Sequence, residues 1–197
     1  MLKRSFDIIF SFFGLILVLP LLLIIGLLIK LDSKGPVFYR GVRIGRHESP
    51  LKIFKFRSMV QNAEELGGPS TAGDDARLTK IGKFLKKYQL DEIPQLINVL
   101  RGEMSLVGPR PEVKMYIDMM TEEERKTILS IKPGMTDLAS LWDFHEGEIL
   151  KGSPDSEKTY REKIRPKKIK LQLEYVKNRS FLLDLKIIIK TILKIFQ

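Results

Sequence analysis

The chain has 197 residues, enough for one domain with a modest core and too few for a second full one. Its 34 Lys and Arg against 24 Asp and Glu give a formal charge of +10, which favours polyanionic partners: nucleic acid, anionic lipid headgroups or phosphorylated substrates. The absence of cysteine excludes disulfides, thiolate nucleophiles and Cys-based zinc sites, and with only His47 and His145 a histidine-rich metal centre is not expected.

From Ile8 to Ile29 the sequence reads IIFSFFGLILVLPLLLIIGLLI, without a charge. As a helix this run would extend about 33 Å, enough to cross a hydrocarbon core. Helices in soluble cores rarely stay apolar on every face for so long. A cleaved signal peptide fits less well, because the run exceeds a usual h-region, no small-residue cleavage site follows and charges begin at once. Lys3 and Arg4 precede the run, while Lys30, Lys34, Arg40, Arg43 and Arg46 follow it. The positive-inside rule therefore draws both ends to the cytoplasmic side. Pro20 sits mid-run, and a sharp bend there would let the segment enter one leaflet and return; a single kinked span is the alternative.

Ser33 to Pro36 (SKGP) breaks this element. VFYRGVRI and LKIFKFRSM, joined by GRHESP, predict a small antiparallel hairpin. Gly67 to Asp75 (GGPSTAGDD) reads as a loop, and Leu78, Ile81, Leu85 and Tyr88 then space as a helix from Arg77 onward. A second helix is expected from LDEIP to Leu100, with Pro94 in its first turn and Gly102 ending it. GPRPE and KPG punctuate the chain, and a charged helix from about Tyr160 to Lys177 leads into FLLDLKIIIKTILKIFQ. There, Lys186, Lys190, Lys194 and Gln197 fall within roughly 80° on a helical wheel. That pattern favours a basic helix lying among lipid headgroups over one packed on the protein's own core. The fold class is therefore mainly α with a small β-hairpin.

Asp91 and Glu92 are the first candidates for chemistry. Adjacent carboxylates at a helix start are ordinary dipole partners when isolated. Here Lys86 lies one turn earlier, Arg110 follows a Gly-Pro, and Lys55 and Arg57 alternate with Phe54 and Phe56, so that both cations can leave one face of a strand. A carboxylate pair with several cations suits magnesium-assisted phosphoryl transfer, in which an aspartate can attack phosphorus. Asp74-Asp75 is a rival pair, better read as a loop turn or as the cap of the Arg77 helix. His145 with Glu146 and Glu148 reads as a polar loop.

YQLDEIPQLINVLRGEMSLVGPRPE (Tyr88 to Glu112) closely resembles the bacterial initiating sugar transferases, the monotopic polyprenol-phosphate phosphoglycosyl transferases. KFRSM, DARLTKIGKFL, IKPGMT, the N-terminal KRSFDI and the late FLLDLKIII match further blocks in family order, so the resemblance covers nearly the whole chain in its small, single-domain form. It implies a re-entrant membrane helix over residues 1–32 bent at Pro20, a cytosolic catalytic domain over 33–180, and an amphipathic interfacial helix over 181–197. It further implies that Asp91 attacks the β-phosphate of a UDP-sugar, releasing UMP and holding a phospho-sugar that polyprenol (undecaprenyl) phosphate then takes. Glu92 would help bind Mg2+ or deprotonate the acceptor, Arg110 would hold phosphate with its planar fork, and Lys55, Arg57 and Lys86 would contribute to the same site. The expected location is the cytoplasmic face of the inner membrane. The expected partners are the UDP-sugar, the polyprenol phosphate and membrane lipids, with a homodimer left open.

Three departures stand out. The family commonly has Ser-Pro at the bend where this chain has Leu19-Pro20; Lys86 replaces a frequent Arg; and Asp137 to Glu148 (DLASLWDFHEGE) lacks the family's Gln-Val-x-Gly-Arg block, which leaves the donor sugar open. Two other classes use the same charge. A non-catalytic membrane protein binding anionic lipids or partners gives no reason for DEIPQ and GPRP together. Nucleic-acid binding is disfavoured by dispersed basic residues and the lack of a recognition motif.

Overall fold

A computed structural model describes residues 2–195. Helix α1 (Leu2–Asp32) contains Pro20 without ending there. Its apolar surface is largely exposed, with Leu17, Leu23 and Leu27 all more than half accessible, while Asp7, Ser11, Ile25 and Ile29 are buried. The buried positions mark where the rest of the chain holds it. Near its start, Asp7 accepts from Ser105 Oγ at 2.9 Å and from the Leu106 amide at 3.1 Å. Lys3 reaches Asp184 at 2.5 Å, and Arg4 donates to the carbonyls of Val99 and Leu100. Near its end, Ile25 and Ile29 pack with Phe56 and Leu85, and Asp32 accepts from the Ile81 amide at 3.1 Å. Both ends of the apolar helix are thus fastened to one polar domain.

The predicted hairpin forms in two short tiers. Strands β1 (Phe38–Tyr39) and β2 (Val42–Ile44) run antiparallel to β4 (Lys55–Phe56) and β3 (Pro50–Lys52), with Phe38 opposite Phe56 and Arg43 opposite Leu51. At the tip His47 and Glu48 take positive φ of 54° and 61°. Helix α2 (Lys80–Lys87) begins three residues later than expected, capped by Thr79, whose Oγ1 accepts from the Gly82 amide at 2.9 Å. Asp75 is no cap: it holds Arg77 at 2.7 Å, and that guanidinium also donates to the carbonyls of Ala63, Gly68 and Ser70. The Asp-Arg pair therefore folds the preceding loop and delays the helix. Gly82 is required, because a Cβ there would lie 1.7 Å from the Ser58 carbonyl oxygen.

The second predicted helix divides into a 3-10 segment (Leu90–Gln95) and α3 (Leu96–Leu100). Gly102, at φ +79°, ends it in the left-handed conformation that glycine adopts without strain. Strand β5 (Ser105–Val107) follows, then α4 (Lys114–Asp118), α5 (Glu122–Ile128, with a Thr121–Glu124 capping box) and β6 (Gly134–Thr136). β5 and β6 pair in parallel, Ser105 beside Gly134 and Val107 beside Thr136, a pairing not anticipated from the sequence. Short helices α6 (Leu138–Trp142), α7 (Glu146–Leu150) and α8 (Ser156–Thr159) lead through a π-helical turn (Tyr160–Ile164) into α9 (Arg165–Asn178).

Helix α10 (Phe181–Ile195) packs on the body through Ile187, Leu183 and Ile188, and Thr191 bonds Thr136 at 2.8 Å. Lys194 does not point to solvent or lipid; it donates to the Leu141 carbonyl. Lys186 and Lys190 are exposed, beside an exposed apolar arc of Leu182, Ile189, Ile192 and Leu193. One face of α10 is therefore core and another is an uncovered amphipathic surface; Gln197 lies outside the described residues.

Candidate active site

The 3-10 segment presents Asp91 and Glu92 in its first turn, immediately after Gln89, which takes a left-handed conformation at φ 53°. Gln89 also donates through Nε2 to the Phe144 carbonyl at 2.8 Å, tying this corner to the α6–α7 junction. Both carboxylates are buried. Glu92 accepts from Lys55 Nζ at 2.6 Å and from both terminal nitrogens of Arg110, Nη1 at 2.9 Å to Oε2 and Nη2 to Oε1. Burial opposes the Glu92 charge, but Arg110 and Lys55 outweigh it and hold the carboxyl well below its ordinary range.

Asp91 differs from its neighbour. Its side chain accepts no hydrogen bond among the described residues, and it meets the cations only through space. Burial pushes its carboxyl up; Lys55 pulls it down, Glu92 pushes it further up, and Lys86 and Arg110 pull down. Half-buried Lys86, in the last turn of α2, is itself lowered by burial against the opposing pull of Asp91. The result is a desolvated, unbonded carboxylate beside a saturated one, with three cations around them.

Local structure explains why these groups meet. Arg110 leaves the C-terminal end of β5, where the Gly108 amide bonds the Thr136 carbonyl at 3.0 Å and the Gly134 amide bonds Pro109 at 3.0 Å. Gly134 lies so close that an added Cβ would sit 2.0 Å from the Gly108 nitrogen. Lys55 is placed by Asn98 of α3. Its amide clamps the strand backbone, Oδ1 accepting from Phe54 N at 2.8 Å and Nδ2 donating to Lys52 O at 2.9 Å. Asn98 is fully buried and was not singled out from the sequence, where an Asn in an apolar run carries no such signal.

Arg57 stands elsewhere. Strand β4 ends at Phe56, so the alternation expected to put Lys55 and Arg57 on one face does not extend to residue 57. The Arg57 guanidinium instead donates to the carbonyls of Ser33 and Lys34, just past the end of α1. Lys55, Lys86 and Arg110 are brought to the carboxylate pair; Arg57 is not. The rival pair is also occupied otherwise, Asp75 by Arg77 and Asp74 by the Gly152 amide.

Glu146, expected in a polar loop, begins α7 and belongs to a neighbouring cluster. Buried Lys168 of α9 holds Asp143 at 3.0 Å and Glu146 at 2.9 Å. Burial is the largest influence on each acid and raises both. Asp143, beside Glu146, is pushed up to about 6, whereas Lys168 overcomes burial at Glu146 and takes it down to about 2. Both acids act through space on Arg110, so the cluster borders the site. His145 and Glu148 are not part of it: Glu148 faces Lys151 at 3.7 Å.

Among the described residues no group of three or more His, Asp or Glu gathers around a common point. Magnesium commonly uses one or two carboxylates together with substrate phosphates and waters. Asp91, with open lone pairs, fits that requirement; Glu92, already accepting three charged donors, has less capacity to serve as a second ligand.

A family model described as bacterial sugar transferase matches residues 1–197. A UDP-glucose:undecaprenyl-phosphate glucose-1-phosphate transferase of Klebsiella pneumoniae is 40% identical over 196 residues, covering 98% of this chain and 40% of the relative. A UDP-N-acetylgalactosamine-undecaprenyl-phosphate N-acetylgalactosaminephosphotransferase of Aeromonas hydrophila is 37% identical over 194 residues, covering 97% and 43%. The chain spans about two fifths of the length of these two relatives. An exopolysaccharide production protein of Rhizobium leguminosarum bv. phaseoli is 37% identical over 199 residues, covering 97% of this chain and 93% of that one.

Proposed function

Because the chain belongs to the bacterial sugar transferase family, we propose that it moves a sugar 1-phosphate from a UDP-sugar to a polyprenol phosphate and thereby starts assembly of a surface glycan. The observation that carries this reading is the contrast between the two carboxylates. Glu92 is spent on holding Arg110 and Lys55, whereas Asp91 is buried and unbonded. An Asp91 oxygen attacks the phosphorus that bears the sugar, the bond from that phosphorus to the UMP oxygen breaks, and UMP leaves as its dianion. The enzyme then holds a sugar phosphate on the aspartyl oxygen. An oxygen of the polyprenol phosphate dianion attacks the same phosphorus, the aspartyl P–O bond breaks, and the carboxylate is restored. No net proton is needed in either half.

Arg110, Lys55 and Lys86 supply fixed positive charge for the diphosphate, and because Glu92 orients two of them they need little rearrangement during reaction. Glu92 acts here as an anchor for cations; with its proton affinity so depressed it is a poor general base. Magnesium, held by Asp91 and the donor's phosphates with Glu92 nearby, would supply further neutralisation of the diphosphate charge. The Asp137 to Glu148 segment, whose Asp143 and Glu146 act through space on Arg110, is the proposed source of donor selectivity. Incubation of the purified chain with undecaprenyl phosphate, Mg2+ and a panel of UDP-sugars should release UMP with at least one donor. Absence of UMP with every donor would remove the reading.

We also propose that α1 is re-entrant, with both ends on the cytoplasmic face of the inner membrane. The support is mechanical: Asp7 and Asp32, one near each end, both bond to the same domain, while the apolar surface between them stays uncovered. A fully spanning helix would need its ends on opposite sides of about 30 Å of hydrocarbon. The cysteine-free sequence makes the test direct. In intact cells, Leu2→Cys and Lys34→Cys should both resist a membrane-impermeant maleimide and both react after permeabilisation; reaction of one alone in intact cells means a span.

A further inference from the structure

A cavity of about 490 Å³ opens between the start of α1, the α9–α10 corner and the strand β5. Asp91, Glu92 and Lys55 do not line it. Five cations do: Lys3, Arg4, Arg46, Lys132 and Arg179. Among the described residues only two acids accompany them, and each is already committed to the fold. Asp7 accepts from Ser105 and Leu106, while Asp184 accepts from Lys3 and from Tyr175 Oη at 2.6 Å. Among the described residues positive charge in the cavity therefore exceeds what the surrounding acids neutralise.

The cations fall into two sets. Lys3 and Arg4 are fixed, the first on Asp184 and the second on the carbonyls that end α3. Lys132 forms no hydrogen bond or ion pair among the described residues, Arg46 uses only Nε, on the Ser130 carbonyl at 3.0 Å, and Arg179, just past the end of α9, keeps one long bond, 3.4 Å, to Val176 of that helix. Lys132 Nζ and Arg4 Nη2 converge beside Gly102, at 3.6 and 3.3 Å from where a Cβ would stand. Burial lowers the Lys132 ammonium, and Arg4 lowers it further, so its charge is held at a cost that a bound anion would relieve.

The surroundings narrow the anion. Phe181 lines the cavity and meets Phe6 edge-on at 5.2 Å, and Phe6 lies 4.3 Å from Phe10. Exposed Ile9, Phe10 and Leu182 continue this apolar surface. A cationic recess whose rim passes into exposed apolar side chains matches an amphiphile with an anionic head. We propose that this cavity binds the phosphate of an anionic phospholipid, its acyl chains lying along Phe6, Phe10 and Phe181, at a place separate from the reacting carboxylate.

The test uses the full chain in a neutral detergent, titrated calorimetrically with dioctanoyl phosphatidylglycerol, dioctanoylglycerol or inorganic phosphate. The phosphatidylglycerol should bind, while dioctanoylglycerol and inorganic phosphate should bind much more weakly. The double variant Arg46→Gln/Lys132→Gln should weaken phosphatidylglycerol roughly tenfold or more. A charge-matched control on exposed sites, Lys126→Gln/Lys163→Gln, should change it less than about twofold, as expected for screened surface charge. The single variant Lys132→Gln, with an intact thermal transition, should already show part of the loss. UMP release should be unchanged in these variants, and the lipid titration reads the cavity whether or not the chain turns over a UDP-sugar. Equal weakening in the two double variants would reduce the effect to net charge and overturn the site. Inorganic phosphate binding as tightly as the lipid would overturn the lipid assignment.

Discussion

Asp91→Asn should reduce UMP release by roughly a thousandfold or more while leaving the protein folded and bound to membranes. Asparagine replaces the proposed carboxylate nucleophile with a weakly nucleophilic amide and so would block the proposed two-step route, and losses of nucleophiles are among the largest single effects in enzymes. The same substitution should not harm stability. The Asp91 carboxylate is buried without a hydrogen bond, and its folded pKa lies above the ordinary 3.8. A raised carboxyl pKa means that the neutral form is favoured by folding, so ionisation subtracts stability as pH rises through the folded value. At neutral pH this group therefore opposes folding, and a neutral isostere relieves it. The thermal midpoint of Asp91→Asn should equal or exceed that of the wild type. A lowered midpoint would mean that Asp91 is a structural ion-pair partner, and retained turnover would mean that another group attacks phosphorus.

Arg110→Ala should show the opposite combination, losing both activity and stability. It leaves Glu92 buried with Lys55 as its remaining partner, and breaking one side of a buried pair typically costs about 3–5 kcal/mol, discounted here to about 2–3 because the arginine is partly exposed. Activity should fall roughly a hundredfold or more as the cation facing the donor is lost. Arg110→Lys should recover much of the stability and less of the activity, since an ammonium keeps the charge without the two-pronged geometry. The pH dependence follows from Glu92, whose folded pKa is depressed below its ordinary 4.5. Its contribution is fully present above that value and is lost as pH falls below it. Urea unfolding at about pH 7 and again near pH 4 should therefore show a wild-type advantage over Arg110→Ala that shrinks on acidification. An advantage of the same size at both pH values would exclude the Glu92 pair as its source.

Much of this site could be read from the sequence because its central pieces are short and local. Asp91 and Glu92 adjoin, GPRP fixes Arg110, and Lys86 lies close before the pair. The apolar run of α1 and the hairpin were visible through hydropathy and turn chemistry for the same reason. What escaped depends on distant partners. Lys168 lies far along the chain from Asp143, and nothing around it in sequence distinguishes it from the other lysines of α9. The parallel β5–β6 pair consists of three-residue strands, too short for alternation to register, and is held by backbone contact at Gly108 and Gly134. Arg57 shows the reverse failure: periodicity was extended past the end of a two-residue strand, and the side chain serves the carbonyls after α1 instead. The helical wheel places the α10 lysines on one face, but Lys194 belongs to the packed side because Leu141 offers it a carbonyl.

The most direct measurement is the mass of the intact protein after exposure to a turned-over UDP-sugar and Mg2+ with no polyprenol phosphate present. The wild type should gain the mass of one sugar phosphate, mapped by fragmentation to Asp91, and should lose it when undecaprenyl phosphate is added. If the protein turns over its donor yet never carries that mass, or carries it equally in Asp91→Asn, then covalent capture at Asp91 is not how this chain works.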